Sequence, residues 1–212
     1  MKIPALYPIL DADAFGADCV GRELLLSVCA NAVALADAGC TVLQLRAKRL
    51  SARELLSVGR ELRRLLPKAT LIMNDRSDLC LAMGFDGVHV GQQDLSPQSA
   101  RLVVGPNRIV GLSTHNAAQF TQALAEPVNY LAIGPVFVNG SEQNFDPGIG
   151  IAGVADTRRM LRDSVREFPL VAFGGITGSN AKSVLQAGAD AVIVDVSVSP
   201  SESAREFFRL MM

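Results

Sequence analysis

Little in this sequence suits metal-centred or redox chemistry. It carries four cysteines and two histidines. Cys19, Cys29, Cys40 and Cys80 stand singly, without a CxxC pair and without a histidine pair nearby. A zinc site needs clustered ligands, so that class is set aside. Cys29 and Cys40 fall in apolar periodic segments and read as buried free thiols of a reducing compartment, the cytoplasm. An excess of either charge is also lacking: 20 basic against 21 acidic residues leave a net charge of -1. That balance offers neither a nucleic-acid surface nor a charged tail, although local cations can still bind a small anion. No apolar run reaches the roughly 18 residues that would mark a membrane span. The opening stretch, MKIPALYPILDADAFG, has no long apolar run after a basic region and reads as a first strand and loop rather than a signal peptide.

What is present is alternation. About half of the 212 residues are hydrophobic, enough for one large core. Short β-branched runs are expected as strands over 6–10, 41–46, 70–74, 86–90, 108–113, 128–133, 169–173 and 190–194. Helical patterns lie between them, over 22–38, 51–66, 77–83, 96–104, 116–125, 152–167, 178–187 and 201–211. Ser51 with Glu54 reads as a capping box, and Ser96-Pro97 as a cap followed by proline at the first helical position. The segments ADAGCTVLQLR (36–46), LAMGFDGVHVG (81–91) and LQAGADAVIVD (185–195) read as degenerate repeats of helix, glycine turn and buried strand. Parallel strands need long crossovers, which the helices supply. A doubly wound sheet would place a glycine-rich nucleotide loop after strand one, and DADAFGADCVG has none. The expected fold is one (β/α)8 barrel over residues 1–212, with no linker marking a second domain.

A barrel places its chemistry at the C-terminal ends of its strands. After strand two come Gln44, Arg46 and Lys48, whose alternation predicts a common face. Two cations and an amide there suit a polyanion such as a diphosphate, or are a solvated strand end. Asn74 and Asp75 follow strand three, and Asp94 follows strand four. Two carboxylates on neighbouring strand ends suit Mg2+, although Asp75 also reads as a helix cap and Asp94 as a turn residue. After strand five, Ser113 and Thr114 offer hydroxyls to a phosphate or, for Thr114, a cap to the next helix. His115 is a proton carrier or a structural residue. His89 either lines the barrel or is a satisfied core histidine, and the second reading is preferred. Gly174-Gly175-Ile176-Thr177, before a helix, suits a phosphate approached by backbone amides.

Taken in order, Leu6-Tyr7, QLRAK (44–48), MNDRSDL (73–79), DGVHVGQQDL (86–95), GLSTH (111–115), NYLAIGPVF (129–137) and VAFGGIT with QAGADAV (171–192) resemble the thiamine phosphate synthase family. The resemblance covers nearly the whole chain. It implies a transferase that joins hydroxymethylpyrimidine diphosphate to hydroxyethylthiazole phosphate, giving thiamine phosphate and pyrophosphate. The diphosphate leaves first and the thiazole nitrogen captures the pyrimidine methylene cation. By similarity, Gln44, Arg46, Lys48 and Asn74 hold the pyrimidine diphosphate, and Asp75 and Asp94 hold Mg2+. Ser113 contacts the diphosphate, so that Arg46, Lys48 and Ser113 carry the catalysis, and Gly175 lies against the thiazole phosphate. The family also tends to associate, implying a homodimer.

Two stretches depart from the family pattern. Where it usually reads Pro-Thr-x-Thr-Lys, this chain has Val138-Asn139-Gly140-Ser141-Glu142. Asn139 and Ser141 stand as replacement phosphate contacts, whereas Glu142 puts an anion where a cation is usual, unfavourable by about 1 kcal/mol or more if close and partly buried. After strand eight, the family's Val-Ser turn matches Asp195-Val196 or, with a slip, Val196-Ser197. The altered thiazole side keeps two alternatives open: a thiazole tautomerase-like isomerase, or a paralogue that only binds a phosphorylated ligand. Retention of Asn74, Asp75 and Asp94 speaks against the tautomerase, as does Pro135 where a histidine would be expected.

Overall fold

The computed structural model describes residues 3–15, 19–138 and 147–195. Eight parallel strands close into one barrel in sequence order, each paired with its neighbours and the last with the first. The strands are β1 (Leu6–Asp11), β2 (Val42–Arg46), β3 (Thr70–Asn74), β4 (Gly87–Val90), β5 (Ile109–Thr114), β6 (Tyr130–Ile133), β7 (Leu170–Ala172) and β8 (Ala191–Asp195). The crossovers are α1 (Gly21–Asp37), α2 (Ala52–Leu65), α3 (Ser77–Met83), α4 (Pro97–Val104), α5 (Ala117–Ala123), α6 (Gly150–Arg162) and α7 (Gly178–Gln186). A 3-10 turn, Ala12–Phe15, follows β1. The helix expected over 201–211 lies outside the described residues. Among the described residues no helix is long and apolar enough to cross a membrane.

The expected caps form. Ser51 accepts from the Glu54 amide while the Glu54 side chain returns to the Ser51 amide, and Ser96 accepts from the Ser99 amide. Helix α6 departs from expectation, ending at Arg162 rather than 167. The Ser164 hydroxyl donates to the Leu161 carbonyl, so a side chain satisfies the terminal turn and competes with further helix.

Alternation along each strand divides the core in two. Outward residues such as Leu43, Leu45, Met73, Val88 and Val90 pack against the helices. Inward residues, including Tyr7, Val42, Ile72, Tyr130, Ala132, Val171 and Ile193, fill the barrel. Wide and absent side chains alternate inside it. A methyl group added to Gly111 would overlap the ring of Tyr130, and one added to Gly87 would lie 2.5 Å from the Ile109 carbonyl oxygen. Glycine at 111 therefore gives Tyr130 room to cross the barrel.

The N-terminal end of the barrel is laced three times by one device. Asp86, just before β4, accepts the Leu71 amide of β3 (2.7 Å) and an ion pair from Arg63 of α2. Asn129, before β6, accepts the Val110 amide of β5 (2.8 Å) and Arg101 of α4 (2.6 Å). Asp190, before β8, accepts the Leu170 amide of β7 (2.7 Å) and Arg158 of α6 (2.5 Å). Position 41, before β2, is threonine, and the first pair of strands is tied at its other end by an Asp11–Arg46 ion pair. Stability determinants thus gather at the end opposite the expected chemistry.

Candidate active site

Register brings the expected residues onto adjacent strand ends. Arg46 lies beside Asp11, and Asn74 beside His89. Neither cation waits unpaired at the mouth. Arg46 forms an ion pair with Asp11, and Lys48, half exposed, forms one with Asp75. Asp13 accepts the backbone amide of Lys48 (2.7 Å) and holds Arg49 in a longer ion pair (3.9 Å). Asp11 and Asp13 escaped the sequence reading. Their signal was available: two acidic residues at the end of β1 and in the turn after it, the place where a barrel puts its chemistry.

Asp75 is not the cap of α3. Arg76 occupies the cap position, and Asp75 adopts a left-handed backbone (φ 62°), the only non-glycine to do so among the described residues. Such a conformation in a β-barrel loop marks a residue held for its position rather than for local preference. Burial pushes its carboxyl above the usual carboxylate range; Lys48 pulls it down and the nearby Asp94 charge pushes it up. The Asp94 carboxylate thus acts on Asp75 across neighbouring strand ends and disfavours its charge. Asp94 also fills the turn role, accepting the Gly91 amide at 2.7 Å. Among the described residues no three His, Cys, Asp or Glu side chains cluster as a metal cage.

Gln44 faces inward like Arg46 but lies one layer deeper, fully buried, rather than beside the cations at the mouth. Its amide nitrogen is 3.2 Å from the Tyr7 hydroxyl, and its carbonyl oxygen is buried with no partner. The Tyr7 hydroxyl is 2.9 Å from that of Tyr130, which is 2.7 Å from His89 Nδ1. His89 Nε2 lies 2.7 Å from the Ser113 hydroxyl. His89 stacks on Tyr130 with ring centroids 5.5 Å apart, and the two tyrosines meet edge to face at 5.9 Å. Burial lowers the His89 pKa to about 4 and pushes both tyrosine hydroxyls up. His89 is thus both things the sequence left as alternatives: it lines the barrel, and it is satisfied there. Tyr7 and Tyr130, the chain's only tyrosines, went unnoticed as a pair, although strand alternation points both inward.

Thr114 is neither phosphate contact nor cap: its buried hydroxyl donates to the Ala132 carbonyl (2.7 Å), and Asn116 caps α5 instead. His115 Nδ1 lies 2.9 Å from the Gly134 carbonyl, and the ring stands edge-on to Phe173. After β7, Gly174 (φ 91°) and Gly175 (φ 61°) both adopt backbone that side chains resist. The chain also passes close. Phe137 donates its amide to the Gly174 carbonyl, and a methyl group on Gly175 would sit 2.5 Å from the Phe137 carbonyl oxygen. The Asn180 side chain accepts the Thr177 amide and donates to the Gly175 carbonyl, fixing the start of α7. Asn139, Ser141, Val196 and Ser197, with Gly140 and Glu142, lie outside the described residues.

Comparison with known proteins agrees with this architecture. The family model described as thiamine monophosphate synthase matches residues 6–197. A thiamine-phosphate synthase of Koribacter versatilis is 49% identical over 214 aligned positions, covering 100% of this chain and 97% of the relative. One from Moorella thermoacetica is 42% identical, covering 74% of this chain and 73% of the relative. Among solved structures, thiamine phosphate pyrophosphorylase from Pyrococcus furiosus superposes with a TM-score of 0.77 at 25% identity, covering 97% of this chain and 95% of that one.

Proposed function

Because the chain belongs to the thiamine monophosphate synthase family, we propose that it is a thiamine-phosphate synthase, a transferase. It joins a hydroxymethylpyrimidine diphosphate to a hydroxyethylthiazole phosphate and releases pyrophosphate. The observation that carries this reading is the arrangement at the ends of β2, β3 and β4. Arg46 and Lys48 reach the mouth on ion pairs with Asp11 and Asp75, and Asp75 is crowded by Asp94.

The chemistry asks for stabilisation of a leaving diphosphate more than for a strong base. Arg46 and Lys48 can exchange their carboxylate partners for diphosphate oxygens, and a guanidinium suits two such oxygens at once. Ser113, on β5, faces the same space and Asn74 sits at its edge. Asp75 and Asp94 fit Mg2+: they are hard oxygen donors, two in number, and their mutual repulsion is what a shared dication relieves. When bound there, the ion supplies charge neutralisation for the departing diphosphate. The glycine pair before α7 offers backbone amides to the thiazole phosphate, aided by the partial positive charge of the helix start.

The reading extends to setting. Four free thiols, three of them buried, suit the cytoplasm. Exposed Leu102 and Val103 on α4 offer an apolar face for a homodimer, and the balanced charge suits small-molecule partners rather than nucleic acid. The test is pyrophosphate release by the purified protein with both substrates and Mg2+, against controls lacking each. Release should require every component and vanish in Asp94→Ala. Release that persists in Asp94→Ala would remove the metal assignment, and none from folded protein would remove the synthase reading.

A further inference from the structure

Between Gln44 and Ser113 runs an unbroken series of polar contacts, buried as far as His89, whose members apart from Ser113 have no place in the mechanism above. We propose that this chain, Gln44–Tyr7–Tyr130–His89, has one hydrogen-bond direction and holds the Ser113 hydroxyl as a donor aimed into the barrel mouth. Tyr7, Tyr130 and His89 are then positioning residues for the transfer reaction, a role that rests on the function proposed above.

The direction follows from counting donors. Gln44 Nε2 can only donate, so the Tyr7 oxygen accepts at 3.2 Å. The single Tyr7 proton then goes to Tyr130, 2.9 Å away. Tyr130 has in turn one proton, which goes to His89 Nδ1 at 2.7 Å. That nitrogen must be bare, so the neutral ring carries its proton on Nε2 and donates to Ser113 Oγ at 2.7 Å. Ser113 has accepted and keeps its own proton for a substrate acceptor, a diphosphate oxygen or an unprotonated ring nitrogen. One end of the chain thus shows the substrate a donor, Ser113. The other shows it an acceptor, the buried and unpartnered Gln44 Oε1.

A reversed chain is the competing arrangement. It needs either a Tyr7 oxygen that accepts from both neighbours and leaves its own buried proton unmet, or the Gln44 amide turned over, which would place both amide hydrogens where the lone carbonyl oxygen now lies. Turned over, the amide leaves two N–H groups unmet, against one N–H and one carbonyl oxygen as it stands, and an orphaned buried N–H is the rarer of the two. The three links from Gln44 to His89 are buried, so water cannot scramble their direction, and only the Ser113 end opens toward the mouth. Glycine at 111 gives Tyr130 the space to make its two contacts.

The experiment is long-range 1H–15N NMR of the histidine rings in the full-length protein, with His89 assigned by its loss in His89→Gln. The expected result is an Nε2–H tautomer for His89, giving way to a tautomer mixture in Tyr7→Phe. In parallel, Tyr7→Phe should lower kcat by roughly tenfold, the scale of one misdirected hydrogen bond, with KM little changed. In a Ser113→Ala background the same substitution should cost nothing more. An Nδ1–H tautomer in the parent overturns the direction. An undiminished Tyr7→Phe effect in the Ser113→Ala background overturns the positioning role. An Nε2–H tautomer in a folded protein that releases no pyrophosphate overturns the positioning role together with the transferase reading, while the direction stands.

Discussion

Gly111→Ala is the smallest change that tests how the barrel interior is built. Its backbone is not in the left-handed region, so alanine brings no conformational strain of its own. The added methyl group would point inward and overlap the Tyr130 ring, lying 2.5 Å from Cε1. Tyr130 has nowhere to retreat. It is fully buried, edge-on to Tyr7 and stacked on His89, and its hydroxyl is tied to both. Overpacking of this kind costs about 1–3 kcal/mol. Displacing the ring also strands the hydroxyl contacts, at about 1–3 kcal/mol for a buried group left unsatisfied. A loss of about 2–6 kcal/mol is expected, or a fall in Tm on the order of 10 °C for a chain of this size. Thermal melts and urea titration, followed by far-UV circular dichroism, read it directly. A Gly111→Ala protein within about 1 kcal/mol of the parent, with an unchanged urea slope, would mean that the interior yields easily, and the reasoning from fixed packing would fail.

Other expectations follow from the same geometry. His89 titrates at about 4 in the folded protein against 6.5 ordinarily. Its contribution is therefore complete above pH 6.5 and is lost as pH falls toward 4, by about 3 kcal/mol; urea titrations across that window should show the slope, and His89→Gln should flatten it. Asp75→Asn keeps a residue type that tolerates positive φ and removes a charge that burial and Asp94 disfavour. Pyrophosphate release should vanish while Tm stays at or above that of the parent; a less stable variant would contradict the account of strain at this site. Asp190→Ala strands the buried Leu170 amide at the barrel's N-terminal end. It should cost about 1–3 kcal/mol in urea titration and leave kcat unchanged.

Much of the fold was legible because a parallel barrel repeats its instructions. Each strand is a short apolar run and each crossover a capped helix, so the scheme survives small errors at element ends. The candidate site was legible at the strand ends: Arg46 closes β2, Lys48 and Asp75 follow β2 and β3, and Asp94 lies in the loop after β4, where its charge acts on Asp75. Interior contacts were harder. Tyr7 and Tyr130 are 123 positions apart, and nothing local says that two inward rings will touch across a barrel. Gln44 was assigned to the mouth because alternation gives the face of a strand, not the depth along the barrel axis. Thr114 was misread for a related reason: its outward face offers a neighbouring strand's carbonyl, and the sequence does not show which partner is closer.

The three lacings at the N-terminal end bear on where this chain can be cut. Each joins one odd strand to the even strand after it and to the helix that precedes the odd strand, so α2–β4, α4–β6 and α6–β8 are closed units. The first two strands are tied instead through Asp11 and Arg46 at the catalytic end. A circular permutant opened between β2 and α2, or between β4 and α4, leaves every lacing whole. One opened between β5 and α5 separates the Asn129 lacing across the new termini. The barrel is in this sense four parts joined by soft seams, and the seams, not the exposed loops in general, are where new ends should be tolerated.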